Sequence, residues 1–401
     1  MRLRNIILAI VLGATWAGAA QAQINVKIGV LNDQSGGYAD IAGPGSVVAA
    51  RMAVEDFKAK EKSISATVVA GDHQNKPDVG SSIARKWYDN EDVDVIVDVP
   101  TSSVALAVNQ ITKDKNKIFL VSGAGTSDLT GKACSPNTIH WSYDTYALSR
   151  ATGGAMVKAG GDTWFFLTSD YAFGHALERD TEAFVIAAGG KVVGKVRHPF
   201  PAQDFSSFLI QAQASKAKVI GLANAGSDTI NSIKQAREFG IVQGGQKLAG
   251  LLVFSSDVQS VGLEVAQGLV LSEPYFSDLN DDTRDFARRF GEKFQGKVPT
   301  SVQAGTYSAV LHYLKAVAAA NSKDTATVLA KMKELPTNDP VFGPGSIRPD
   351  GRKLHSMYLL EVKSPAESRN RNDIYKLIAT IPADEAFRPM SEGGCPLVSK
   401  N

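Results

Sequence analysis

The stretch VDVIVDVPTSSVALAVNQITKDKNKIFLVSGAGTSDLTG, residues 93–131, holds the unit on which the fold turns. Residues 93–99 are a short, β-branched apolar run that Pro100 ends. Ser102 then opens a helical segment that reaches about Asp114, and KIFLVS (117–122) is a second β-rich run that empties into a loop of Gly, Ala, Ser and Thr. Strand, helix and strand at this spacing make a βαβ unit, which calls for parallel strands with helices on their faces.

The same alternation extends in both directions. Upstream lie VKIGVL (26–31) as a strand, GPGSVVAARMAVEDFKA (43–59) as a helix, ISATVVAG (64–71) as a strand and a helix from Asp78 to about Tyr88. Downstream a second series has helices from about Tyr146 to Ala159, from Phe173 to Ala188, one opened by Asp204, and one from Ser227 to Phe239. Its strands are TWFFLTS (163–169), KVVGKV (191–196), AKVIGLA (217–223) and KLAGLLVF (247–254). After these come three helices, about 281–295, 301–320 and 324–333, a turn-rich GPGSIRPDGRK (343–353), and closing strands HSMYLLEVK (355–363) and YKLIATI (375–381). A chain of 401 residues exceeds what one hydrophobic core usually serves. Two successive βα arrays therefore predict an α/β protein of two lobes, each a mostly parallel sheet flanked by helices. Long helices after the second array predict that the chain returns to the first lobe, which makes both lobes discontinuous in sequence.

Hydrophobic residues make up 44% and charged residues 21%, a soluble globular composition. The first residues, MRLRNIILAIVLGATWAGAAQAQ, read as a secretory signal peptide over 1–22, cut after Ala22 at the Ala20-Gln21-Ala22 site. The apolar run is short for a membrane anchor, the competing reading. Of 43 basic side chains two, Arg2 and Arg4, fall in that leader, leaving 41 against 41 acidic ones. A neutral exported chain gives no charge argument for a nucleic-acid or anionic-membrane partner. Export with only two cysteines, Cys134 and Cys395, permits one disulfide between the C-terminus and the loop after the small-residue segment; two buried thiols are the alternative.

Three chemistries compete for SGAGTSDLTG (122–131). A dinucleotide loop needs a third glycine leading into a helix, but Asp128 stands there and Pro136 follows soon after. A hydrolase nucleophile needs G-x-S-x-G, which the chain lacks. The six histidines, His73, His140, His175, His198, His312 and His355, sit singly, without metal-ligand spacing, and no cofactor is implied. What remains is a small anionic ligand held by backbone. PTSSVAL supports it, since Thr101, Ser102 and Ser103 lie at the first turn of a helix, where hydroxyls and free N–H groups favour a carboxylate. Ordinary N-capping by Thr101 or Ser102 is the bland alternative. Strands three and four would bring both loops to one carboxyl edge, where open α/β sheets bind ligands. Aromatic residues Tyr38, Trp141, Tyr143, Tyr146, Tyr171 and Phe173 cluster after strand ends and would suit a flat apolar ligand.

VKIGVLNDQSGGYADIAGPGSVVAARMAVEDF, PTSSVAL, SGAGTSDLTG, SDYAFGHAL and IKQAREFG, in this order, resemble the periplasmic solute-binding proteins of ABC importers of the branched-chain amino acid class, over nearly the whole chain after the leader. The resemblance implies a non-enzymatic, two-lobed type I binding protein with three crossover segments, here expected as 23–142 plus 274–347 and 143–273 plus 348–401. It implies hinge closure on ligand, a periplasmic location, a monomer, and docking to an inner-membrane permease with its ATPases. Carried over position by position, the carboxylate contacts fall on Ser102, Ser103, Ala124, Gly125 and Thr126, the aromatic walls on Tyr38, Tyr143, Tyr171 and Phe173, and second-lobe contacts on Asn224 and Ala225.

One departure bears on the ligand. Members that bind α-amino acids carry a glutamate where this chain has Leu251, Leu252 and Val253. Asp257 nearby either substitutes or caps the next helix. Burying an ammonium without a partner costs several kcal/mol. The expected ligand is therefore a carboxylate without an amino group, an aromatic acid of the benzoate or phenylpropenoid type. GAGTSDLTG and NAGSDTIN are also more similar to the subgroup associated with aromatic acids. Branched-chain amino acids, amides or urea form the alternative ligand set, and a sensor for a regulator the alternative role.

Overall fold

Residues 23–398 are described by a computed structural model; the proposed leader, 1–22, lies outside the described residues. The first array is β1 (Ile24–Asn32), α1 (Gly43–Lys60), β2 (Ile64–Asp72), α2 (Pro77–Asn90), β3 (Val95–Asp98), α3 (Ser102–Asp114), β4 (Ile118–Val121) and β5 (Thr138–His140). Its strands form one all-parallel sheet in the order β2-β1-β3-β4-β5. Every residue of β3 and β4 is buried, as expected where helices cover both faces of a parallel sheet.

The second array is α4 (Thr145–Lys158), β6 (Thr163–Ser169), α5 (Ala172–Ala187), β7 (Lys191–His198), α6 (Ser206–Ala214), β8 (Val219–Ala223), α7 (Ser227–Glu238), β9 (Lys247–Gly250), α8 (Ser255–Val261), α9 (Leu263–Ala266) and β10 (Val270–Glu273). There follow α10 (Asp281–Lys293), α11 (Ser301–Ala320), α12 (Thr325–Glu334), β11 (Thr337–Asp339), β12 (Gly343–Ile347), β13 (Lys353–Leu354), β14 (Met357–Val362), β15 (Tyr375–Ile381) and α13 (Ala383–Ala386). The second sheet runs β15-β14-β10-β9-β8-β6-β7, in which β14 alone runs against the others, pairing antiparallel with both β10 and β15, and β11, β12 and β13 make a small sheet of their own.

Helices α10, α11 and α12 return to the first sheet. Phe286, Phe290, Tyr307, Val310, Leu314, Val317 and Met332 share a core with Val26, Ile28, Val30, Met52 and Phe57. Each such side chain contributes about 1.5 to 3 kcal/mol of burial. Helix α11 starts at a capping box in which Thr300 accepts from Gln303 N–H and Gln303 accepts from Thr300 N–H, and it ends at Asn321 in the left-handed region. The chain crosses between the two sheets after β5, after β10 and through the β12–β13 region, which makes three connecting segments.

Local readings differ from the structure in instructive places. KLAGLLVF is a strand only over Lys247–Gly250; residues 251–254 turn inward as buried loop into α8. The turn-rich GPGSIRPDGRK supplies β12 and the start of β13. Strand β5, only three residues long, carries no periodicity to read. Cys134 and Cys395 are bonded, tying the C-terminal tail to the loop after β4.

Candidate ligand-binding cleft

Because β1, β3 and β4 are parallel, their carboxyl ends open at one edge, and the ends of β6, β8 and β9 face them across the gap. Between them lies a narrow slot lined by Tyr38, Ile41, Pro100, Gly123, Gly125, Tyr143, Tyr171, Phe173, Ala225 and Leu252. It holds about 200 Å³ of space between atoms. A larger hollow of about 1040 Å³ beside α10 is an open groove edged by the exposed Arg284, Arg288, Glu292 and Lys297. The slot, with strand ends converging on it from both sheets, is the better candidate site.

Its floor is backbone. The carbonyls of Gly123, Ala124 and Gly125 each accept a hydrogen bond from the segment that runs from the end of β5 through the first crossover to the start of α4: Tyr143 OH at 2.6 Å, His140 Nε2 at 2.7 Å and Thr145 N–H at 2.7 Å. In a trans peptide the N–H points opposite to the C=O. Three carbonyls held from one side therefore turn the N–H groups of Ala124, Gly125 and Thr126 to the other. Thr126 N–H meets Ser102 Oγ at 3.2 Å; the N–H groups of Ala124 and Gly125 meet no protein acceptor among the described residues. Ser102 is fully buried and accepts that bond, which leaves its own proton free for another partner. Consecutive free N–H groups beside a helix start form an anion-binding concavity.

The expected capping alternative is not used by Thr101, whose hydroxyl donates to Asn75 Oδ1 and makes no bond to the turn of α3. Small size at the floor is also a steric requirement. A Cβ on Gly123 would lie 2.7 Å from Pro100 Cα, and one on Gly125 would lie 2.8 Å from Phe173 Cε2.

The walls are aromatic. Tyr38, from the loop after β1, and Tyr171, after β6, meet hydroxyl to hydroxyl at 2.5 Å. Phe200 stacks on both, with ring centroids 4.7 Å from Tyr38 and 5.1 Å from Tyr171. Ser227 N–H donates to Gly37 O at 3.2 Å, so the loops of the two arrays touch directly. Burial raises the phenols of Tyr38, Tyr143 and Tyr171, which keeps them neutral donors.

Charge lies behind the walls. Burial raises Asp98 to about 6, Asp228 to about 7, Asp257 to about 7 and Glu273 to about 8. No lysine or arginine lines the slot. The two fully buried cations among the described residues, Arg352 and Lys353, sit instead at the crossovers, Arg352 donating to Tyr143 O at 3.1 Å and lying 4.6 Å from the Phe387 ring centroid.

Of the residues singled out from sequence, Tyr38, Gly125, Tyr143, Tyr171, Phe173 and Ala225 line the slot, and Ser102, Ala124 and Thr126 build its floor. Ser103 is half-buried on the same turn as Ser102. Asn224 is spent on a network behind the wall with Ser232, Thr229 and His198. Asp257 caps α8, accepting from Phe254 N–H at 3.0 Å, and does not line the slot, whereas Leu252 does. Ile41, Pro100 and Phe200 were not foreseen. Phe200 follows the end of β7, so the same rule that selected Tyr171 also selects it.

Residues 25–369 match the family model described as periplasmic binding protein. A periplasmic binding protein from Burkholderia mallei is 49% identical, with a TM-score of 0.91, covering 94% of this chain and 99% of that one. A branched chain amino acid ABC transporter periplasmic ligand-binding protein from Burkholderia xenovorans LB400 is 41% identical, with a TM-score of 0.82, covering 93% and 99%. An ABC transporter solute-binding protein from R. palustris, solved in complex with benzoate, is 24% identical, with a TM-score of 0.81, covering 93% and 99%; at that identity it speaks to the fold. The chain belongs to the periplasmic binding proteins, in the leucine-binding-protein-like class, and is a substrate-binding protein rather than an enzyme.

Proposed function

We propose that this protein captures a small aromatic carboxylate, of the benzoate or phenylpropenoid type, between its two lobes and delivers it to an inner-membrane ABC permease. The observation that carries the ligand class is the floor at Ala124 and Gly125, two N–H groups without a protein acceptor beside the Ser102 hydroxyl. An aromatic ring suits the walls of Tyr38, Tyr143, Tyr171 and Phe173. Leu252 on the slot wall, with Asp257 used as a cap, leaves an α-ammonium without a counter-charge. The benzoate held by the R. palustris protein is a ligand of this type.

In this reading the carboxylate contacts are Ser102, Ser103, Ala124, Gly125 and Thr126, and the second lobe adds Ala225. The lobes are 23–142 plus 274–347 and 143–273 plus 348–401, a division supported by the sheet membership of β10 and β14 and by the return of α10–α12 to the first sheet. The mature chain begins after Ala22, works as a periplasmic monomer and closes by a hinge motion.

A thermal-shift screen followed by calorimetry tests the ligand class, since a ligand of the folded state raises Tm with its concentration over Kd. Benzoate, 4-hydroxybenzoate and phenylpropenoates should raise Tm and bind; leucine, short amides and urea should not. Tight leucine binding with no response to any aromatic acid overturns the proposal in favour of the branched-chain reading.

A further inference from the structure

We propose that His140 is a positioning residue of the anion cradle, which donates from Nε2 to the Ala124 carbonyl and so aims the Gly125 N–H at the ligand carboxylate. The inference rests on reading the slot as a carboxylate site. The carbonyl of Ala124 and the N–H of Gly125 belong to one rigid peptide, so a group that holds the first fixes the direction of the second. The bond is 2.7 Å long, and both partners are buried.

The ring has one job. Burial and the neighbouring Arg352 guanidinium hold its pKa well below the ordinary histidine range, so it is neutral. A neutral imidazole has one N–H, and donation to a carbonyl requires it on Nε2. The other nitrogen, Nδ1, has no partner in the structure, so no competing bond draws the proton there.

The backbone of His140 is itself held on both sides. It pairs with Val121 at the end of β4, and its N–H donates to Gly351 O at 2.9 Å as part of a parallel bridge to Arg352. Arg352 in turn donates to Tyr143 O, whose side chain holds the Gly123 carbonyl. Two of the three crossovers thus support the peptides that face the ligand, and His140 is the side chain through which that support reaches Gly125.

The test uses His140→Gln, whose amide nitrogen reaches a position close to Nε2, and His140→Leu, which has no donor. Calorimetry with benzoate as the probe should give about tenfold or weaker affinity for the leucine variant, the effect of one lost positioning bond, and affinity within about threefold of wild type for the glutamine variant. Equal loss in both variants, or none in either, overturns the inference, because a space-filling histidine would respond to shape and not to the donor. If the leucine variant does not fold, the glutamine variant and a second measurement decide: ring ¹⁵N shifts of the wild-type protein at pH 7 should report proton on Nε2, and proton on Nδ1 overturns the inference. That measurement needs no ligand. A wild type that binds no aromatic carboxylate therefore refutes the ligand class, while the ring shifts still judge His140.

Discussion

Removing either hydroxyl of the Tyr38–Tyr171 pair should weaken ligand binding by speeding release. The two side chains follow strands of different sheets, β1 and β6, and on the proposed hinge reading they touch only when the lobes meet, so their bond would belong to the closed form alone. Its free energy enters the closure equilibrium and hence the measured affinity. A hydrogen bond of this kind is worth about 0.5 to 1.5 kcal/mol net, which corresponds to about 2- to 12-fold in Kd. Phenylalanine at either position keeps the ring and its stacking on Phe200, so the substitution removes the bond and little else. Because ligand meets separated lobes first, the association rate should stay unchanged and the whole factor should appear in dissociation. Each single substitution breaks the same bond, so the double Tyr38→Phe, Tyr171→Phe protein should lose no more than either single one. Stopped-flow fluorescence with the best aromatic acid gives both rates for all four proteins. Unchanged dissociation in the single variants, or a double variant that loses the sum, would refute the latch.

Two further outcomes follow from charge. Glu273 is an acid whose folded pKa, about 8, lies above its unfolded value, so it stabilises the fold below about pH 4.5 and loses that contribution as pH rises through 8. Urea denaturation between pH 5 and 8 should therefore show wild-type stability falling faster than that of Glu273→Gln, by up to about 1.4 kcal/mol per pH unit, and parallel curves would contradict the buried-acid account. Leu252→Glu puts a carboxylate on the slot wall; at about 6 Å and an effective dielectric near 20 the repulsion on a bound carboxylate is about 3 kcal/mol. Calorimetry should show roughly 100-fold weaker benzoate binding and stronger binding of leucine, and an unchanged benzoate affinity would mean the ligand anion lies elsewhere.

Much of the fold was legible because long βα units repeat one physical pattern. Residues 93–131 show strand, helix and strand almost as they occur, since β3 and β4 are buried on both faces and read as unbroken apolar runs. Legibility failed where structure depends on distant partners. Residues 251–254 have the same apolar character as Lys247–Gly250, but they turn inward to form the slot wall and the cap of α8, and nothing local distinguishes the two halves. Within the candidate site, Gly123 to Thr126 and Ser102 stood out by their smallness and position. Asp257 was legible only as a choice between ligand contact and helix cap, and the role of Asn224 was not legible, because a buried polar side chain satisfies its nearest partners, and those are set by the fold.

How the cradle could bind an anion and still release it follows from where the charges are. A cation in the slot would hold a carboxylate strongly, but opening would then separate a buried ion pair, and whichever partner stayed behind in a dry site would carry a cost of several kcal/mol. The described slot contains no such cation. The buried cations lie at the crossovers, Arg352 near Asp144 and Phe387 and Lys353 4.4 Å from the Phe342 ring centroid. Peptide N–H groups and a serine hydroxyl can instead exchange a carboxylate for water at modest net cost, since each returns to an ordinary hydrogen bond. On the proposed reading affinity then comes from aim, and aim comes from the carbonyls of Gly123, Ala124 and Gly125 being held from behind by Tyr143, His140 and Thr145. Tyr143 lies in the first crossover, with His140 at the end of β5 before it and Thr145 at the start of α4 after it, so on the proposed hinge reading a turn at that crossover would reach the same peptides that face the ligand.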